Sequence, residues 1–292
     1  MKSRWLMNLA MLVLIVGIVA FLYLRPKAVD NDTPTYEVST LKMADFDHVT
    51  VEFPTKAPVA FEKIGGYWYL VKPYKARAEQ RMVQAILSII AATTTHKFPA
   101  DDLARFGLDT PKLKVKHNDQ EFVFGTYNTL TSEQYVAYKG ALYLLPVTYS
   151  EAASTQVVEM LEKNPLAPGE KIAGFDLSHL EQWEDIRLIV DLVDGKWKAS
   201  AANAKPQQNE MNEWFETSWK HPAVLSVEPY TPDRKTTYPS LEVKLADGRK
   251  VHLDKLQESP ELLLGRPDEG MLYHFPQDAG FVMLNPPINL SK

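Results

Sequence analysis

The amino-acid sequence predicts an α+β protein in which an N-terminal transmembrane helix is followed by two similar units of mainly antiparallel sheet with packed helices. Three observations carry this expectation. Residues 5–24 form a long apolar run, and no later segment approaches it in length. Beyond residue 40, the same succession of strand, turn and helix signals is written twice in one order. Fixed-order self-similarity is the usual sign of repeated structural units.

The run from Trp5 to Leu24 is 20 residues long, and Asn8 is its single strongly polar interruption. About 20 residues, each rising about 1.5 Å, cross the hydrocarbon layer. Trp5 and Tyr23 stand near the ends of the run, at the depth where amphipathic rings settle. A cleaved signal peptide has a shorter apolar core followed by small residues at the cleavage site. Here Phe21, Leu22, Tyr23, Leu24 and Arg25 fill that place. The chain has no cysteine, which removes lipoprotein processing, a disulfide framework and thiolate metal sites. Basic residues on the two flanks nearly balance, Lys2 and Arg4 against Arg25 and Lys27. Orientation therefore rests on the short N-terminal stub and on Asp30 and Asp32 beyond the run. The expected arrangement is a cytoplasmic tip and membrane helix over 1–24 and a tether over 25–40. It is single-pass in the bacterial inner membrane, with the C-terminal part in the periplasm. A formal net charge of -5 argues against a nucleic-acid partner, which needs a basic face.

The first unit is expected over 41–165, a connection over 166–179, the second unit over 180–285 and a tail over 286–292. Each unit opens with an apolar-x-x-aromatic spacing, Met43 and Phe46 before Val49 and Val51, and Leu180 and Trp183 before Ile186 and Leu188. Next come two hairpins, Gly65-Gly66-Tyr67-Trp68 and Asp194-Gly195-Lys196-Trp197, whose turn dipeptides tolerate positive φ. Helices follow, with apolar stripes at Met82, Val83, Ile86, Leu87, Ile89 and Ile90, and at Met211, Trp214, Phe215 and Trp219. Alternating strands after Pro111 and Pro239 lead to turns at Asn118-Asp119 and Asp247-Gly248. Phe122-Val123-Phe124-Gly125 is matched with Leu262-Leu263-Leu264-Gly265. The strands around Tyr135–Tyr138 and Leu142–Leu144 are matched with Met271–His274 and Phe281–Met283. A helix from Tyr149 to about Lys163 closes the first unit, and Pro165 and Pro168 mark the connection.

A tryptophan strand, a helix, then Phe106-Gly107-Leu108-Asp109-Thr110-Pro111 before a hairpin ending in Gly125 resembles the bacterial domain-of-unknown-function family 4340. The resemblance covers most of the chain from about Leu41 and is clearest in the first unit. In the second, Lys235-Thr236-Thr237-Tyr238-Pro239 stands where the Phe-Gly-Leu-Asp segment belongs. The resemblance implies a unit carried behind a single membrane helix, present more than once in some relatives. It also implies an envelope role beside transporter components, and it supplies no catalytic residues.

The residues themselves show no catalytic, cofactor or metal constellation. The seven histidines have no i,i+3 or i,i+4 pair, the spacing that a short zinc motif needs. Asp45-Phe46-Asp47-His48 lacks the glycine and distal glutamate of a calcium loop. Ser39-Thr40-Leu41-Lys42 fits Ser-x-x-Lys, but it lies at the end of the tether and no companion motif follows. Trp68 and Trp197 recur at equivalent positions and Trp214 lies on a helical stripe, so these read as core. Trp219 and Tyr230 have the weakest packing rationale and are the predicted interaction surface. The expected function is a non-enzymatic, membrane-anchored periplasmic interaction or scaffold component of an envelope or ABC-transporter-associated complex, with a protein partner. The alternative is a ligand-binding module for cell-wall glycan or peptide, with its site in the cleft between the repeats.

Overall fold

The computed structural model describes residues 11–18, 21 and 34–291. Residues 11–18 and 21 are helical and exposed. Among the described residues no helix is long and apolar enough to cross a membrane. The rest of the predicted span, with 25–33 of the predicted tether, lies outside the described residues. The tether ends earlier than expected. Strand β1 (Tyr36–Glu37) pairs with β6 (Thr93–Thr94), and Val38 is buried with its N–H donated to the Ala92 carbonyl at 2.9 Å. These residues gain backbone partners and burial, which a solvated tether would not give them.

Two antiparallel sheets form the framework of the described residues. The first runs in the order β5-β4-β3-β2-β8-β9-β10-β11-β7. Its strands are β2 (His48–Glu52), β3 (Val59–Ile64), β4 (Tyr67–Lys72), β5 (Ala76–Arg77), β7 (Lys97–Pro99), β8 (Leu113–His117), β9 (Gln120–Asn128), β10 (Glu133–Tyr138) and β11 (Ala141–Pro146). The second runs β14-β13-β12-β16-β17-β18-β19-β15. It comprises β12 (Ile172–His179), β13 (Ile189–Val193), β14 (Lys196–Ala199), β15 (Ser226–Pro229), β16 (Ser240–Leu245), β17 (Lys250–Gln257), β18 (Glu261–Arg266) and β19 (Met271–Pro276). With the two-residue β5 set aside, the two orders agree strand for strand.

The helices α1 (Gln80–Leu87), α2 (Thr148–Ser154), α3 (Gln208–Phe215) and α4 (Gln277–Leu284) also fall at matching places in the two orders. A side-chain device joins each first helix to its tryptophan strand. Trp68 donates its N–H to Gln80 Oε1 at 2.9 Å, and Gln80 Nε2 returns a bond to the Trp68 carbonyl at 3.1 Å. Trp197 and Gln208 do the same at 2.7 and 2.9 Å. On the edge strand β14 the amide supplies a missing ladder partner, where unpaired backbone groups are a liability; on β4 it shares the Trp68 carbonyl with the Ala78 N–H at 3.2 Å. Gln80→Ala is expected to cost about 1–3 kcal/mol, because it leaves the partly buried Trp68 N–H without its acceptor. Thermal unfolding of the variant checks this, and an unchanged midpoint would dismiss the clamp.

Several expected correspondences shift. Strand β12 lies inside the predicted connection 166–179, so the second sheet begins at Ile172 and not at Leu180. The matched openings are both short 3-10 turns, Met43–Asp45 and Glu181–Trp183, which explains their common spacing. They sit before different strands, however, β2 and β13. From β17 onward the predicted pairing is out by one strand. Leu262–Gly265 belong to β18, the counterpart of β10 and not of β9, and Phe281–Met283 belong to α4 and not to a strand. Asp254 and Lys255 are buried on β17; with charges at inward positions, that strand lacks the alternation that would have marked it. The helix predicted from Tyr149 to Lys163 ends at Ser154 and is followed by a 3-10 turn, Val157–Met160. Within the predicted tail 286–292, the described residues 286–291 are not loose. Ile288 is buried, and Leu290 bridges to Ala204 as Leu161 bridges to Ala78.

Candidate functional site

The two residues singled out as an interaction surface are both interior. Trp219 is 1% exposed and Tyr230 8%. Trp219 stands five residues after Trp214, which on a regular helix would carry it off the apolar stripe. The segment Glu216–Lys220 is a π-helix, whose wider turn brings an i+5 residue back to the same face. Trp219 therefore meets Phe175 at 4.6 Å and Trp214 at 6.4 Å between ring centres. Its buried Nε1 has no acceptor among the described residues. Tyr230 lies flat against Gly265, where a Cβ would come within 2.4 Å of its ring. Its hydroxyl donates to Asp254 Oδ2 at 2.8 Å. Burial first, then the neighbouring Asp254 carboxylate, raises the Tyr230 pKa. In the first unit the same kind of cover is made by Leu108 over Gly125, where Phe106 O would stand 2.1 Å from an added Cβ. Gly107, at φ +65, makes the turn that brings these two residues down.

The feature that stands out is the junction between the two sheets. Arg77, on β5, is buried and donates Nε to Glu269 at 3.0 Å. Its Nη2 reaches the Asn164 carbonyl at 2.8 Å and the Tyr273 hydroxyl at 2.9 Å. Arg266, at the end of β18, is also buried and grips Glu170 through both Nη atoms at 2.8 and 2.7 Å. It also meets Asp268 at 3.0 Å and the Pro165 carbonyl at 2.7 Å. The connection 164–170 is thus held from both sides, by an arginine of the first sheet and one of the second. The turn Val157–Met160 adds contact with the edge strand β15.

Electrostatics follow from this geometry. Burial opposes the charge on Arg266, but its hydrogen bonds to Glu170 and Asp268 outweigh it and hold the guanidinium above its ordinary pKa. Burial would raise Glu170, yet the bonds from Arg266 and the Ala167 N–H keep its carboxyl below the usual range. Tyr273 is pushed up to about 12, chiefly by burial. Every carboxylate of the cluster is committed to a guanidinium, which suits a structural clamp better than acid–base chemistry. Sequence reasoning did not find Arg77 or Arg266. Their partners lie far away along the chain, with Arg77 and Glu269 separated by 192 positions, and no local spacing signals such a pair.

Two cavities flank the clamped connection, with Glu162, Ala167, Pro168 and Glu170 walling both. One, of about 280 Å³, is lined further by Tyr67, Trp68, Tyr69 and Arg249. The other, of about 510 Å³, has Phe215 and Trp219 in its wall, with Lys171 and Lys220 beside them. Among the described residues no group of three or more histidine, aspartate or glutamate side chains could hold a metal ion.

A family model described as Domain of unknown function (DUF4340) matches residues 68–227. The match runs from Trp68 on β4 across the clamped connection to Val227 on β15. No curated protein and no solved structure matches the chain.

Proposed function

The chain belongs to the DUF4340 family, and from that membership we propose a non-enzymatic envelope protein whose two sheets form one docking platform for another protein. In this reading residues 5–24 are a single-pass anchor in the bacterial inner membrane, and the sheets are a repeated unit standing in the periplasm. The partner belongs to an envelope or ABC-transporter-associated complex. The observation that carries the reading is the Arg77 and Arg266 clamp, which fixes two sheets of one topology in a single mutual orientation. A rigid composite surface of this kind favours docking, because ordering costs are met before the partner arrives. Cross-linking in intact membranes, then purification of the full chain, should recover one protein in stoichiometric yield. Arg77→Ala should lower that yield by loosening the two sheets. Recovery of the chain alone from cross-linked membranes would overturn the proposal.

A second reading, binding of cell-wall glycan or peptide in the cleft, is favoured by the 510 Å³ cavity with its aromatic wall and adjacent lysines. Titration of the full chain in detergent with purified wall fragments tests it through tryptophan fluorescence. A saturable change that Lys171→Glu weakens would support this reading, and no change at any concentration would remove it.

A further inference from the structure

The hairpin joining β9 to β10 is an unusual projection. Strand β9 continues four residues past Phe124, the last residue that β8 pairs, an overhang of about 13 Å at about 3.3 Å per residue. At its tip Leu130 is 93% exposed, and Tyr127 at the base is 39% exposed. The tip is an ordered turn: Asn128 Oδ1 accepts the Leu130 N–H at 3.0 Å, and the Ser132 carbonyl accepts the Val147 N–H at 3.2 Å. Residues 127–132, Tyr-Asn-Thr-Leu-Thr-Ser, carry no charge. The leucine is therefore presented to solvent by local structure.

The second sheet supplies an internal comparison. Its equivalent connection, between β17 and β18, is Glu258-Ser259-Pro260, and Glu258 is tied to Lys255 at 2.9 Å. It displays no large apolar side chain. The apolar tip is thus confined to the unit next to the N-terminal apolar run. The incoming chain reaches that unit beside the same hairpin. Thr94, the partner of Tyr36, donates its hydroxyl to the Leu144 carbonyl at 2.7 Å, and Leu144 pairs with Tyr135 of β10. Two strand spacings, about 10 Å, separate β6 from β10. The twelve residues from Leu24 to Tyr36 span at most about 40 Å. At the same sheet end, Phe53, Pro54 and Pro111 line a cavity of about 530 Å³ with Lys112 at its rim.

We propose that the β9–β10 tip is a membrane contact, with Leu130 and Tyr127 seated in the headgroup layer of the bilayer that holds residues 5–24. Tyrosine favours that depth, the exposed leucine gains burial there, and Lys112 faces anionic headgroups. The contact would fix how the two-sheet platform stands on the membrane. It rests on the anchor reading above.

The absence of cysteine allows single labels. Nitroxides would be placed at Leu130→Cys, Val13→Cys and Asp119→Cys in the full chain, reconstituted in nanodiscs containing anionic lipid. Asp119 is exposed in the turn at the opposite end of β9. The readout is relative accessibility to oxygen, which concentrates in lipid, and to a water-soluble nickel chelate. The expected result is oxygen preference at 13 and 130 and nickel preference at 119. If 13 prefers oxygen while 130 behaves like 119, the membrane contact is overturned and the anchor stands. If 13 itself prefers nickel, the anchor reading fails and the contact fails with it. Exclusion of both reagents from 130 would mean a protein contact, which also overturns the proposal.

Discussion

Arg266→Met is expected to destabilise the folded chain by about 3–5 kcal/mol, the usual cost of removing one partner from a buried ion pair. The substitution leaves Glu170 facing the interior with the Ala167 N–H as its remaining partner and strips Asp268 of its guanidinium. Arg266→Lys should cost less, since it keeps the charge but loses the two-pronged grip on Glu170. Arg266→Met combined with Glu170→Gln should recover part of the loss, because the uncompensated charge is then gone. Urea unfolding followed by tryptophan fluorescence measures all three. A loss below about 1 kcal/mol for Arg266→Met, typical of exposed pairs, would show that the junction does not hold the two sheets. The pH dependence has a definite sign. Glu170 and Asp268 are held below their ordinary values, so the unfolded chain binds more protons over that interval. Their stabilisation is present above the unfolded values near 4.5 and 3.8 and is lost as pH falls through the lower folded ones. Arg266→Met should flatten that acid limb.

Why some of this was legible in the sequence and some was not follows from how each signal is generated. Gly65-Gly66 before Trp68 and Asp194-Gly195 before Trp197 are local: two positive-φ residues and a strand, readable without knowing what packs above them. The α1 stripe is local too: Val83, Ile86 and Leu87 are buried as its period requires, and Ile89 and Ile90 are buried in the 3-10 turn Ser88–Ala91 that follows. Gln80 and Gln208 recur at the start of both helices, and their repetition was available as a signal. A glutamine at a helix start is ordinary in composition, so the repetition alone does not mark a clamp. Register within the second sheet is lost from β17 onward, where buried Asp254 and Lys255 break the alternation that marks a strand. Trp219 misled because a π-turn changes which residues share a face. Tyr230 misled because its support, Gly265 below and Asp254 at its hydroxyl, comes from two other strands. The arginine clamp is invisible for the same reason, more strongly: it exists only once the two sheets meet.

The second large expected effect lies in the core of the first sheet, at His117. Its side chain is fully buried, and among the described residues neither ring nitrogen has a hydrogen-bond partner. Phe46 and Phe122 flank it edge-on, with ring centres at 5.9 and 5.5 Å. Burial among these rings disfavours a cation there and lowers the pKa from 6.5 to about 4. Folded protein therefore holds the ring neutral through an interval in which the unfolded chain is protonated. Stability is complete above pH 6.5 and declines as pH falls toward 4, by about 3 kcal/mol in all at about 1.4 kcal/mol per pH unit. This interval lies above the one in which Glu170 and Asp268 respond, so the two contributions separate on one stability curve. His117→Leu should abolish the decline between pH 6.5 and 4.5. At pH 7 it should leave the chain at least as stable, because two unpaired polar atoms leave the core. Urea midpoints at half-unit pH steps give the curve, and the imidazole carbon resonances report the titration directly. A His117 resonance that titrates near 6.5 in the folded chain, or a decline that persists in His117→Leu, would mean that the ring finds a partner or water. The core of the first sheet would then be wetter than its packing implies.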